Sequence, residues 1–504
     1  MDSKIIQSIS TDNLYLIDGM IYNNLNDIDE NNLALNMNIL IGGKNGGLFN
    51  VTNTPPTIID YVVGNFTLKR IIDDNIINVE AFGAKGDGVT DDTKALQNAI
   101  NYSSSNNINI KLTGDYVITK PLILKETCCL YGGIYNNEYN KRSSIISNVS
   151  NTFELSERVV GVVLDGILFN GKNMCFNSLN ENGVLAWGVI KNCGFINFTN
   201  VFNLFILGTK IHDVFINYVQ SSGILIGSDN FISNCFINNN NNTNTGTLLT
   251  LKNFNLSRLT NIYFTGKDKT LTGTPNLLNI QGTCSNLEIN GCFFDLSNGY
   301  AVNINGAVYD FPKSGCTNIT FINCLFRGNC QDIDSTIASN VINVSNARNI
   351  SFITNAFKDV GSLGSSMNPN SKIFNFINTV QGILLESNYY EIPYSANNDE
   401  NISMLETFPY KANNWGIQST TVNKINLQHA TVTTDGTYGS AIVRFNKYYS
   451  ETPIVFCKVK STTIIALVNS TTSKQVELIF RKIIDSQPVT STTLEIDLFM
   501  VENV

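Results

Sequence analysis

Between residues 164 and 390 the chain alternates apolar and polar positions in short bursts separated by turns. The clearest bursts are NLEINGCFF at 286–294, NITFINCLF at 318–326, NISFITNAF at 349–357 and GILLESNYY at 382–390. Each reads Asn or Gly, a two-residue alternation, a small polar residue, a small or Cys position and an aromatic. Looser copies are LDGILF at 164–169, VIKNCGF at 189–195, IHDVFI at 211–216, FISNCFI at 231–237 and LTNIYF at 259–264. Aligned on the small polar residue they fall at 166, 192, 213, 234, 261, 291, 323, 354 and 387, in steps of 21 to 33 residues. A period of two marks strands. No helical period lies between them, which excludes alternating βαβ units. Short strands at this spacing predict the coils of a parallel β-solenoid, each stacked about 4.8 Å from the next.

Stacking turns equivalent positions into ladders. Asn192, Asn234, Asn261 and Asn323 share a turn register, where Asn can bend the chain and bond its neighbours. Cys193, Cys235, Cys292 and Cys324 follow, as inward thiols. Phe195, Phe264, Phe294, Phe326 and Phe357 form an aromatic row expected in the core. The register after it holds Asp295, Arg327, Lys358 and Glu391, pairing Asp295 with Arg327 and Lys358 with Glu391. Two readings of this strip stand: a solvated salt ladder, or the charged wall of a sugar groove.

The two ends break the pattern. Residues 1–75 have few aromatics, a glycine cluster IGGKNGGLF and a TPP turn, and are expected to form a small separate module. From about 413 onward, SAIVRFNKYYSETPIVFCKV, TTIIALVNST, KQVELIFRKII and TTLEIDLFMVENV predict an antiparallel β-sandwich. The coils then occupy 76–412.

Composition narrows the function. Only 15 % of the 504 residues are charged, while 43 % are hydrophobic and the net charge is −8. Nucleic-acid binding is disfavoured, because phosphate contacts need clustered Lys and Arg. No run of eighteen apolar residues marks a membrane span. MDSKIIQSIS lacks the apolar core of a secretory signal, which fits release by lysis. Eleven cysteines show no CxxC spacing and there are only two histidines, His212 and His429, so neither a metal nor a cofactor is expected.

The stretch FGAKGDGVTDDTKALQNAI at 82–100 carries the densest acid cluster, Asp87, Asp91 and Asp92. It lacks the GxGxxG and GK[ST] spacings of phosphate cradles. Ala95, Leu96, Ala99 and Ile100 make one apolar stripe, with Thr90 or Asp91 as the helix cap. A lid over the first coil is the expected role, so these acids are poor catalytic candidates. With Asn78-Val79, the stretch resembles the entry motif of the pectate-lyase-like superfamily of right-handed parallel β-helices. That family includes phage tailspikes and polygalacturonases. The resemblance implies an all-β chain: a right-handed single-stranded parallel β-helix with an N-terminal capping helix, the small N-terminal module and a C-terminal β-sandwich. AIVRFNKYYSETPIVFCKV is similar to strands of lectin-like and phage fibre-tip domains, so that tip is read as carbohydrate-binding or trimerising.

The Asn-Thr-Asp, Asp-Asp, Gly-His-Gly and Arg-Ile-Lys motifs of polygalacturonases are absent from the repeat at 164–390. The resemblance therefore implies a tailspike or receptor-binding protein of a virion tail, acting outside the host on bacterial surface polysaccharide, with depolymerisation as an accompanying activity. A free polysaccharide lyase or glycosidase, and a purely structural tail fibre, are the alternatives. Residues 1–75 would contact other virion proteins, and the assembly would be a homotrimer. The catalytic candidates are Asp295, Asp359 and Glu386, because glycosidases use paired carboxyls. Asp332, Asp334 and Glu391 are further acids of the same stretch. Arg327, Lys358, Tyr389, Tyr390 and Trp415 are the glycan-binding candidates. His429 has no partner nearby in sequence and receives no role.

Overall fold

The computed structural model describes residues 6–10, 13–17, 19–42, 46–72, 74–133, 143–238, 247–266, 276–297, 299–308, 314–328, 341–358, 373–386, 388–390, 418–419, 425–435, 437–438, 440–445, 453–461, 464–472, 474–482 and 487–501. The chain packs as two compact units, Met1–Asn244 and Thr245–Val504. Both contain coils of a parallel β-helix.

The turn register explains why the coils form. In the first unit Gly166, Asn192, Asp213 and Asn234 have φ of 72°, 53°, 55° and 53°. In the second, Asn261, Gly291, Asn323 and Thr354 have φ of 53°, 63°, 54° and 53°. This left-handed backbone is accessible to Gly, Asn and Asp at low cost, and it swings the chain from one strand to the next. Thr354 is the β-branched exception, and its hydroxyl bonds Asn323 Oδ1 at 2.6 Å. Each corner amide also reaches the following coil: Asp213 N donates to Ser233 O at 3.1 Å, and Asn323 N to Ile353 O at 3.1 Å. The expected asparagine register is thus a column of corners.

In the first unit, Gly19–Tyr22, Asn38–Ile41, Gly47–Thr52, Phe66–Arg70 and Tyr61–Val63 form a five-stranded sheet. It has its own core of Ile39, Phe49, Val51 and Leu68. The coils begin at Ile76–Asn78, which pairs in parallel with Asn109–Leu112. Helix Thr93–Asn106 buries Ala95, Leu96, Ala99 and Ile100 as its stripe requires, and packs on the first strands of the coils.

The capping differs from the expectation in one detail. Asp92 occupies the N-cap, yet its side chain does not cap the helix. It is buried and accepts the amides of Lys85 at 2.7 Å and Gly86 at 3.0 Å. Asp91 accepts Thr93 N at 3.0 Å instead. Neither Lys85 nor Gly86 has a side chain that accepts a hydrogen bond, so the nearby buried Asp92 carboxylate takes their amides.

In the second unit, strands Tyr263–Thr265, Phe293–Asp295, Leu325–Arg327, Ala356–Lys358 and Tyr389–Tyr390 stack in parallel and in register. Their central phenylalanines are fully buried and stack at 5.1, 4.8 and 4.7 Å from Phe264 through Phe294 and Phe326 to Phe357. An amide ladder runs outside another strand set: Asn303, Asn343 and Asn375 each donate to the preceding Asn at 2.8, 2.8 and 2.7 Å. Cys193, Cys235, Cys292 and Cys324 are buried thiols. Burial pushes the Cys292 thiol well above its usual range. At the C-terminus two three-stranded antiparallel sheets, Ile425–Thr433 with Thr493–Val501 and Ile454–Val459, and Ser440–Arg444 with Gln475–Lys482 and Ile464–Thr471, share one core around Val443, Leu478, Phe480, Ile496 and Leu498. That is a β-sandwich.

Candidate functional site

With the central phenylalanine of each strand turned inward, its two neighbours turn outward. The second unit therefore carries two outer columns. One runs Tyr263, Phe293, Leu325, Ala356; the other runs Thr265, Asp295, Arg327, Lys358. Asp295 and Arg327 meet as the strip predicts. Arg327 Nε donates to Asp295 Oδ1 at 3.0 Å and Nη2 to Oδ2 at 2.7 Å. Tyr263 Oη donates to Oδ2 at 2.7 Å.

The Asp295–Arg327 pair is not a fully solvated one. Asp295 is only 2 % exposed, whereas the Arg327 side chain is 47 % exposed. The guanidinium also stands 5.1 Å from the centre of the Phe293 ring, and that ring stacks on Tyr263 at 4.6 Å. A two-pronged ion pair on an aromatic face is a rigid arrangement. Burial, then the Asp295 carboxylate, pushes the Tyr263 hydroxyl up to about 12. Lys358 follows Arg327 in register, so one carboxylate and two cations occupy successive coils.

Glu386 ends strand Phe374–Glu386, opposite Ile353, and is half-buried. It belongs to a coil three steps beyond that of Asp295, about 14 Å along the axis at 4.8 Å per step. The two acids are not brought together. Asp359, Trp415, Asp332, Asp334 and Glu391 lie outside the described residues. Tyr389 and Tyr390 extend the backbone ladder opposite Ala356 and Phe357.

The acids of the capping motif are all engaged in the fold. Asp87 accepts the amides of Thr90 at 2.7 Å and Val89 at 2.9 Å, which hold its carboxyl down at about 2. The hydroxyls of Thr119 and Thr93 lower that of Asp91. Among the described residues no group of three His, Cys, Asp or Glu is arranged to hold a metal ion, and no helix is long and apolar enough to cross a membrane.

Two residues escape sequence reasoning. Tyr263 sits in the copy LTNIYF, but nothing in that segment signals a bond to an acid 32 positions later. Trp187 stands 57 % exposed at a corner of the first unit. Its signal is an aromatic immediately before Gly188, at a corner whose counterparts include Gly161 and Gly208.

The coils form a parallel β-helix, and residues 76–293 match the family described as rhamnogalacturonase A/epimerase, pectate lyase-like. Among solved structures, the chain is similar to the enzymatically active domain of tailspike protein 2 of bacteriophage CBA120, at 12 % identity and a TM-score of 0.51, over 92 % of this chain and 87 % of that one. It is also similar to the full-length tailspike protein 2 of an Escherichia coli O157:H7 bacteriophage, at 13 % identity and a TM-score of 0.52, over 92 % and 78 %. The tailspike protein of Acinetobacter baumannii phage AM24 aligns at 10 % identity and a TM-score of 0.49, over 94 % and 92 %. At these identities the likeness is one of fold. No curated protein matches the chain.

Proposed function

We propose that the protein is a tailspike-type receptor-binding protein that recognises polysaccharide on a bacterial surface, with the Tyr263, Phe293, Asp295, Arg327 and Lys358 strip as part of its glycan contact. The observation that carries this reading is the buried Asp295 fixing a half-exposed Arg327 over an aromatic ring. A guanidinium immobilised before binding loses little further freedom when a sugar arrives. An aromatic face beside hydrogen-bonding side chains suits pyranose rings, which are apolar on one face and hydroxylated at the rim. The fold shared with phage tailspikes supports the same reading.

Cleavage would accompany binding. Glycoside hydrolysis uses two carboxyl groups about 5–10 Å apart. Glu386 with Asp359 is the pair assigned to it; Asp295 is assigned to holding Arg327, since Arg327 and Tyr263 already engage both its oxygens. Tyr389, Tyr390 and Trp415 remain proposed sugar contacts. Residues 1–75 are assigned to attachment within a virion tail, and the assembly to a homotrimer that works at the host surface without a cofactor.

The test is incubation of the purified protein with isolated bacterial surface polysaccharides. Binding that Arg327→Ala weakens at least tenfold is expected. New reducing ends would mark hydrolysis, and absorbance of an unsaturated sugar would mark a lyase instead. Failure to bind any polysaccharide or whole bacterium would overturn the proposal in favour of a structural fibre.

A further inference from the structure

The corners of the first unit contain several residues that local backbone preference does not explain, Thr127, Trp187 and Tyr218 among them. Thr127, Gly161, Trp187, Gly208 and Asp229 form a column with φ of 56°, 71°, 48°, 59° and 61°. Their amides step up the coils alike: Gly161 N donates to Ala186 O at 2.9 Å, Trp187 N to Leu207 O at 2.7 Å and Gly208 N to Ser228 O at 3.0 Å. Gly and Asp suit a left-handed corner; a bulky aromatic there is unfavourable. Nor does burial compensate, because Trp187 is 57 % exposed.

A single exposed aromatic is ordinary on a protein surface. What distinguishes Trp187 is that it is exposed and held. The Arg158 guanidinium lies 4.9 Å from the indole centre, in cation–π contact. On the next coil Gly208 leaves room for the ring: a Cβ there would stand 2.5 Å from indole Cδ1 and 2.6 Å from Nε1. Two oriented polar groups lie along the strands that leave this corner. Lys191 Nζ is 3.2 Å from Asp165, and His212 Nδ1 is 2.7 Å from Asp213 Oδ2, all four side chains being partly exposed. Four residues of extended chain separate Trp187 from Lys191, about 13 Å.

We propose that Trp187 is a saccharide-binding platform separate in its residues from the Arg327 strip. A pyranose ring would stack its C–H face on the indole, and further sugar hydroxyls would bond Lys191 and His212. The inference rests on the polysaccharide reading above, and it adds a subsite that reading does not contain.

The test uses an array of immobilised bacterial polysaccharides with the full chain, Trp187→Asn and Trp187→Tyr. Asn accepts the left-handed corner better than Trp does. Trp187→Asn should therefore lose at least tenfold in apparent affinity while its thermal midpoint stays the same or rises. Trp187→Tyr should bind within about threefold of the wild type. Trp187 is one of the chain's two indoles, so the wild type's tryptophan fluorescence should shift when the bound polysaccharide is added, and Trp187→Asn should lose the Trp187 share of that shift. Undiminished binding by Trp187→Asn overturns the platform and leaves the polysaccharide reading intact. A lowered thermal midpoint in Trp187→Asn overturns it in favour of a structural role, and a changed mass in light scattering in favour of a contact between copies. No binding by the wild type overturns both proposals.

Discussion

Two acidic regions of this molecule invite the same reading and perform different work. The capping motif crowds three aspartates into six residues, yet each carboxylate is turned to its own backbone or to threonine hydroxyls. The outer strip of the second unit holds a single aspartate on its described strands, yet Asp295 assembles an arginine and a tyrosine from coils on either side of its own. Density of acids in sequence measures how much loop backbone needs acceptors. Convergence of unlike groups from different coils measures a site. Asp87 and Asp92 reach over 2 to 7 residues and Asp91 also over 28 to Thr119, but only to amides and hydroxyls, whereas Asp295 reaches over 32 to a cation and a phenol.

The comparison can be broken by mutation, and the strip should respond most. Asp295→Ala removes the acceptor shared by Arg327 and Tyr263. Losing one partner of a buried pair costs 3–5 kcal/mol, discounted here because Arg327 is half-exposed and can turn to water, so about 2–3 kcal/mol is expected in denaturant unfolding. The same variant should lose polysaccharide binding along with Arg327→Ala. A loss of stability with intact binding would make the strip a structural clamp only.

Asp92→Ala comes next. It strands the amides of Lys85 and Gly86, both partly reachable by water, so about 1–2 kcal/mol is expected by the same measurement. Polysaccharide binding should not change. If it did, the contrast between a structural and a functional acid cluster would fail.

The smallest effect is a pH dependence. The Tyr263 hydroxyl titrates near 12 in the folded chain against an ordinary value of 10.0. A group whose folded value is raised contributes stability that is fully present below its unfolded value and fades as pH rises through the folded one. Stability should thus fall between about pH 10 and pH 12, and Tyr263→Phe should show a shallower fall over that window. Equal slopes would mean that the hydroxyl is not held by Asp295.

Much of this was legible in the chain itself. The corner register at 166, 192, 213, 234, 261, 291, 323 and 354 is visible because left-handed corners admit few residue types. The phenylalanine column and the Asp295–Arg327 pairing follow from that register alone, since in-register stacking makes equal positions neighbours. Tyr263 was not legible, because its hydroxyl crosses from one outer column to the other, and register does not say how far a side chain leans. That the Asp92 carboxylate serves the loop was not legible, because helix-end preference describes the cap and is silent about the loop folded beneath it.

The sequence by itself determined the coil, its corners, its inner ladders, the acid cluster of the capping motif and the register of Asp295 with Arg327. These rest on short-range backbone preferences and a period of two, which repeat and can be counted. Only the tertiary structure decided that Asp295 is buried while Arg327 is open, that the capping aspartates serve the loop, and that Trp187 is held out in solvent by Arg158 and by the missing side chain of Gly208. Exposure and side-chain reach depend on what neighbouring coils place beside a residue, and no local preference encodes that.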